Sequence, residues 1–306
     1  MAAHHRGATL VLLVFLATLL LGVLGSPLAY PDFTPRVNAE VSDLLAALLE
    51  EEDEPQQQVV GWSRSSPRLG QVSGVAIDPE GRPVIFHRGP VSWLLSSFNN
   101  SHHYQLGSQG AIPVDTILTL HPVSGVVVEG WGRNAFYLPH GIAICPRTGD
   151  TWLTDVALHQ VFRHDAPVLT LGKRFEPGSD ARHFCKPTSV AIASGGDVFV
   201  TDGYCNQRVL HFTPDGRLIA ELGRDLGSLS LTLPHGVALI EERDVVCIAD
   251  REAKRIVCIR AGIIEPDRAG ELGFHAPHAI AVTPDGNAVY VGEIGPNRLT
   301  KFMIAQ

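Results

Sequence analysis

The sequence of 306 residues holds no cluster of Lys or Arg, and its formal net charge is −8. Nucleic-acid binding depends on basic side chains that neutralise phosphates, so this balance argues against it, and against an anionic membrane surface too. Charged residues are also few, 18% against 45% hydrophobic. A disordered chain is thereby excluded, and enough apolar side chain remains for a large core. Long helical patterns are scarce, and beyond the N-terminus no apolar run is long enough to span a bilayer.

What the chain does have is 30 Gly and 21 Pro, spread along its length. Such a composition suits many short strands joined by tight turns. Residues 1–25 read as a secretory signal peptide: Arg6, an apolar run from Ala8 to Leu24, then the small residues Gly25 and Ser26. A membrane anchor is the competing reading of that run. Cleavage would send the chain to the secretory granule lumen or outside the cell, with no membrane attachment afterwards. Asn99-Asn100-Ser101 is then a glycosylation acceptor. Residues 26–58 read as a propeptide or linker with one short helix. Asn38 is its N-cap, Val41, Leu44, Leu45, Leu48 and Leu49 form its apolar stripe, and the acidic run Glu50–Glu54 follows.

Residues 59–306 repeat themselves. A short apolar strand recurs at Ser73–Ile77, His140–Ile144, Thr188–Ile192, His235–Leu239 and His278–Val282. A second strand follows each, ending at His87-Arg88, Asp155, Asp202, Asp250 and Glu293. The last four copies start 43 to 48 residues apart, the length of a four-stranded propeller blade. The fold expected is an all-β propeller of NHL-like repeats, with five repeats detectable. Its first strands line a central channel, and its sheets are covered on both faces. Because the first two strands of a blade are antiparallel, both repeat signatures lie at one rim.

At that rim Pro-His occurs three times at the same repeat position, as His140, His235 and His278. Three neutral imidazoles with an open fourth position are the ligand set of catalytic zinc. Arg88, Tyr204 and Arg251 stand at the same mouth. Arginine presents a fork suited to a carboxylate, and a tyrosine beside a cation can act as a general base. The bland readings are a salt bridge to a neighbouring acid for Arg251, packing for Tyr204, and satisfied core residues for His159, His183 and His275. Of the five cysteines, Cys247 and Cys258 flank a hairpin, while Cys185 precedes one blade and Cys205 lies at the end of its second strand. Both pairs are expected as disulfides pinning mouth loops, with Cys145 left as a small buried hydrophobe.

The segments "FHRG", "FYLPHG", "HFCKPT", "DGYCNQR", "LPHGVAL", "ADREAKRIVC" and "APHAIAV" resemble the lyase domain of peptidylglycine α-amidating monooxygenase, from about Val59 to the end. That family is six-bladed and cleaves peptidyl-α-hydroxyglycine to a peptide amide and glyoxylate. The resemblance implies zinc on His140, His235 and His278, Tyr204 as base, Arg88 and Arg251 on the substrate, and the same two disulfides. It also implies a stand-alone, monomeric lyase supplied with hydroxylated peptide by a separate copper monooxygenase. Two departures stand out. The family's structural calcium would use backbone oxygens of Val75 and Ile142, but Ala279 replaces its carboxylate, which weakens a hard-cation site. Ile263–Glu271 stands where the family has another blade, so His235 and His278 lie one repeat apart and not two.

The function expected is a zinc-dependent carbon–nitrogen lyase, the last step of peptide amidation. The alternative is a catalytically impaired or non-catalytic propeller used as a binding scaffold. An esterase or lactonase propeller would need channel carboxylates for calcium, which the sequence does not supply.

Overall fold

The computed structural model describes residues 69–164, 169–223, 230–261, 276–283, 288–295 and 298–303. Contacts divide the chain into Met1–Val59 and Val60–Gln306, and all described residues belong to the second unit. The expected signal peptide, the propeptide with its Asn38 helix, the Ile263–Glu271 segment and His275 lie outside the described residues.

Among the described residues are five antiparallel sheets in chain order. The first holds β1 (Val72–Ile77), β2 (Pro83–His87), β3 (Ile117–Leu120) and β4 (Val127–Trp131). The second holds β5 (Pro139–Ile144), β6 (Thr151–Asp155), β7 (Gln160–His164) and β8 (Leu169–Leu171). The third holds β9 (Ser189–Ile192), β10 (Val198–Asp202), β11 (Arg208–Phe212) and β12 (Leu218–Leu222). The fourth holds β13 (Pro234–Ile240), β14 (Val245–Asp250) and β15 (Arg255–Arg260), and the fifth β16 (Pro277–Val282), β17 (Ala288–Glu293) and β18 (Arg298–Met303). The five recurring sequence strands are β1, β5, β9, β13 and β16. Tight turns set their register: between β1 and β2, Asp78 Oδ1 accepts from the backbone of Glu80 and Arg82, and Gly81 takes φ +77°.

Neighbouring sheets bury each other in sequence. Val84, Phe86 and Ile117 of the first pack on Ile142 and Leu153 of the second. Trp152 and Val161 meet Val190, Val200 and Leu210 of the third. Phe199 and Val209 meet Val237, Ile248 and Val257 of the fourth. Ile240 and Cys247 meet Val289 and Val291 of the fifth. Each fully buried side chain of this size stabilises by about 1.5–3 kcal/mol. The described residues form a propeller of five blades. Among them β16 and β1 are not packed as the other neighbouring first strands are, and Val75 and Ile77 of β1 remain 61% and 57% exposed. The expectation that both faces of every sheet are covered therefore holds for the inner sheets and fails at the two ends of the series.

The polar residue ending each second strand pins the chain entering the first. Asp155 Oδ2 accepts from Tyr137 and Leu138 N–H, Asp202 Oδ1 from Cys185, Asp250 Oδ1 from Thr232 and Leu233, and Glu293 Oε1 from Ala276. In the first sheet His87 Nδ1 does the same for Gly70. Three of these acids also bind an arginine that opens the third strand: Asp202 with Arg208, Asp250 with Arg255, Glu293 with Arg298. These buried acids are thus clamps that present Pro-His at the rim.

Candidate functional site

A cavity of about 470 Å³ runs between the first strands, lined by His140, His235 and His278 with Val75, Ile142 and Ala279. His140 Nδ1 donates to the carbonyl of Thr188 at 2.7 Å, and His235 Nδ1 donates to the carbonyl of His278 at 2.9 Å. In both cases the acceptor is the equivalent position of the next blade. Glycine follows each histidine for this reason: a Cβ on Gly141 would stand 2.7 Å from Thr188 O, and one on Gly236 2.9 Å from His278 O. The signal was legible as the repeated His-Gly, though its meaning requires the neighbouring blade. Thr188 occupies the histidine position of the third blade, where its hydroxyl bonds Pro234 O at 3.0 Å.

With both Nδ1 atoms protonated, each Nε2 carries a lone pair. Both aim at one atom, the hydroxyl of Tyr204, at 3.0 Å each. A phenol has one proton, so it can satisfy only one imidazole, and the other faces an oxygen lone pair. A cation among these atoms would satisfy every donor at once, which is what a ligand set with carbonyl-fixed tautomers provides. Burial, with Arg88, His278 and Arg251 adding to it, pushes the His140 pKa down to about 3. Burial and the two other histidines hold His235 well below its usual value, and burial with the two arginines takes His278 to about 4. All three imidazoles are therefore neutral at pH 7.

His278 is placed differently. Its ring lies 3.8 Å from that of His235 and 6.3 Å from that of His140, centroid to centroid. Among the described residues the set of three donor atoms all within 4.8 Å of one another is His102, Cys185 and Cys205, and a disulfide joins its two sulfurs. The three channel histidines meet around one mouth without reaching that spacing, as blades one repeat apart require.

Arg88 is buried, with Nε on Pro139 O at 3.0 Å and Nη1 on Gln71 Oε1 at 2.9 Å. Arg251 lies 5.5 Å from the Tyr204 ring, and its guanidinium also binds Glu252 at 2.9 Å, the neighbouring acid that the bland reading anticipated. Tyr204 itself is raised above its usual pKa, because burial outweighs the downward pull of Arg251 and Arg88. The pull of the two arginines alone does not bring the phenol below its usual value. Sequence reading missed Trp93, whose ring stands 4.9 Å from Tyr204 and 6.1 Å from His140.

The disulfides are Cys185–Cys205 and Cys247–Cys258, with Cys145 free and buried. The first adjoins Tyr204. The second is a mid-sheet pair between β14 and β15 and not a mouth-loop pin, since register sets Cys247 opposite Cys258, three pairs from Asp250. His159 is a satisfied core residue, bonded to His102 O and to Lys186 N–H, and His183 binds Asp180 at 2.7 Å.

Fold and site together define a β-propeller with a histidine-lined mouth. An NHL-repeat family pattern matches residues 184–212. Peptidyl-alpha-hydroxyglycine alpha-amidating lyase 2 of Drosophila melanogaster is 38% identical, over 81% of this chain and 75% of that protein. Lyase 1 of the same organism is 35% identical over 79% and 58%. Rat peptidylglycine alpha-amidating monooxygenase is 45% identical over 62% of this chain and 21% of its own length. A chain of the nidogen/laminin complex matches at TM-score 0.55 with 17% identity, covering 77% of this chain and 76% of that one, a likeness of fold alone. The chain belongs to the peptidyl-α-hydroxyglycine α-amidating lyase family, and is accordingly an enzyme of the lyase class.

Proposed function

We propose that the chain cleaves peptidyl-α-hydroxyglycine to a peptide amide and glyoxylate, with zinc held between His140 and His235 and with His278, set to one side of them, as the weaker third ligand. The observation that carries this reading is the convergence of two neutral Nε2 atoms on the Tyr204 hydroxyl, 3.0 Å from each. Zinc there would supply Lewis acidity to an oxygen and positive charge to lower nearby pKa values. The chain's own residues do the rest. Arg88 and Arg251 hold the substrate carboxylate, Tyr204 takes the proton of the α-hydroxyl, the C–N bond breaks as the C=O of glyoxylate forms, and the departing amide nitrogen takes a proton. Aromatic rings beside Tyr204 exclude water from that step.

The remaining expectations follow the same proposal. The protein acts as a monomer in the secretory granule lumen or outside the cell, on peptide hydroxylated by a separate copper monooxygenase. Asn99 suits glycosylation: it is exposed, and its Oδ1 is occupied by the N–H groups of Ser101 and His103. Calcium at Val75 and Ile142 would lack a carboxylate at Ala279, so zinc is the one resident metal proposed. The adjacency of His235 and His278 favours a second reading, an impaired propeller serving as a scaffold.

Glyoxylate assay of the secreted protein on an α-hydroxyglycine-extended peptide, with zinc analysis of the same sample, separates the two. One zinc per chain with glyoxylate release supports the enzyme. Neither would leave the scaffold.

A further inference from the structure

We propose that Trp93 and Phe98 form a side-chain subsite for the residue preceding the hydroxyglycine, favouring apolar and aromatic side chains and disfavouring basic ones. This rests on the lyase reading. Both rings come from residues 88–116, the longest strand connection described, which brings Trp93 against Tyr204 and His140. The connection is internally braced: Leu94 N–H donates to Ser97 Oγ at 2.8 Å, Gln105 N–H to Ser97 O at 2.9 Å, and Phe98 bridges to Tyr104. Its rings are therefore held in place before a ligand arrives.

Trp93 touches the reacting groups on one side and Phe98 on the other. Its ring lies 4.9 Å from Tyr204, 5.4 Å from the Arg88 guanidinium and 5.4 Å from Phe98. Neither ring is fully covered, and Leu94 and Leu95 beside them are 53% and 106% exposed. An apolar surface thus runs outward from the catalytic groups. A peptide whose terminal carboxylate is held by the arginines must leave along some wall of the mouth. One extended residue spans about 3.3–3.6 Å, so the side chain next to the scissile bond is the one within reach of Trp93.

Cations flank this wall at both ends. Arg88 faces Trp93, and Lys186 Nζ stands 4.6 Å from the Phe98 ring. With one cation already against each ring, an incoming basic side chain meets like charge and an apolar one does not.

The test measures affinity without turnover. Two C-terminally amidated peptides, identical except for Phe or Gly at the last residue, are titrated into the full chain by calorimetry, with a Lys version as third probe. Phe is expected to bind about tenfold tighter than Gly, and Lys more weakly than Gly. Trp93→Ala should erase the Phe advantage, and Phe98→Ala, which does not adjoin Tyr204, should reduce it. Equal affinities for the unmodified chain, failure of both peptides to bind, or an advantage that survives both substitutions would overturn the subsite. So would a Trp93→Ala loss falling equally on Phe and Gly, which would make Trp93 a support for Tyr204 only. Parallel assay of the α-hydroxyglycine forms tests the underlying reading: no glyoxylate with the affinity gap intact refutes the lyase and leaves the subsite standing.

Discussion

The third sheet and the fifth carry the same repeat in different surroundings. Every residue of β10 and β11 is buried, whereas β18 alternates between exposed and half-buried. Arg208 and Asp202 form an ion pair with both side chains at 0% exposure, while the matching Arg298 is 52% exposed over its buried Glu293. The difference reaches the mouth. His140 and His235 each have a following blade whose carbonyl fixes the ring, and each is followed by glycine so that the blade can approach. His278 stands on the last described sheet and is followed by an exposed alanine, with no later blade described to supply a carbonyl to its ring. A repeat position thus acquires its role from its neighbour.

The comparison breaks most visibly at the histidines. His235→Ala should abolish glyoxylate release and zinc content together, and activity retained in that variant would refute the assignment. His278→Ala should keep more zinc than His235→Ala, because Tyr204 Oη lies within 3.0 Å of Nε2 of His140 and His235; metal analysis of the pair decides it. Tyr204→Phe should lower kcat by about 10²–10⁴-fold, the usual range for a lost proton-transfer group, with zinc unchanged.

Smaller effects fall on stability. Arg208→Met strands a buried carboxylate and should cost about 3–5 kcal/mol in denaturant unfolding. The equivalent Arg298→Met should cost less than that, since water reaches this pair from the side of the half-exposed guanidinium although Glu293 is buried. Gly236→Ala should cost about 1–3 kcal/mol by forcing β13 and β16 apart, whereas Ala279→Gly should stay within about 0.5–1 kcal/mol, the backbone effect alone. Similar costs for the two arginines, or for the two small residues, would mean that the end of the series is as well packed as its middle.

Much of this was legible in the chain. Period and strand signatures specify the propeller, because each blade is local and its hydrogen bonds join strands close in sequence. Pro-His at three matched positions marks the mouth before any coordinates are known. The clamp role of Asp155, Asp202, Asp250 and Glu293 was not legible, since a carboxylate at a strand end reads equally as catalyst or as pin until its N–H partners are seen. Trp93 was invisible for a similar reason: residues 88–116 have no repeat register, so nothing along the chain says which ring turns back toward Tyr204.

Sequence by itself determined the blades, the cysteine pairs and the residues offered to the mouth, all of them set by spacing within or between repeats. Tertiary structure alone decided that two imidazoles share one phenol, that the third stands beside its neighbour and not across from it, and that the end sheets of the described series expose faces its middle sheets bury. These are relations between blades, and they depend on how sheets stack in space, which side-chain burial governs and no local pattern records.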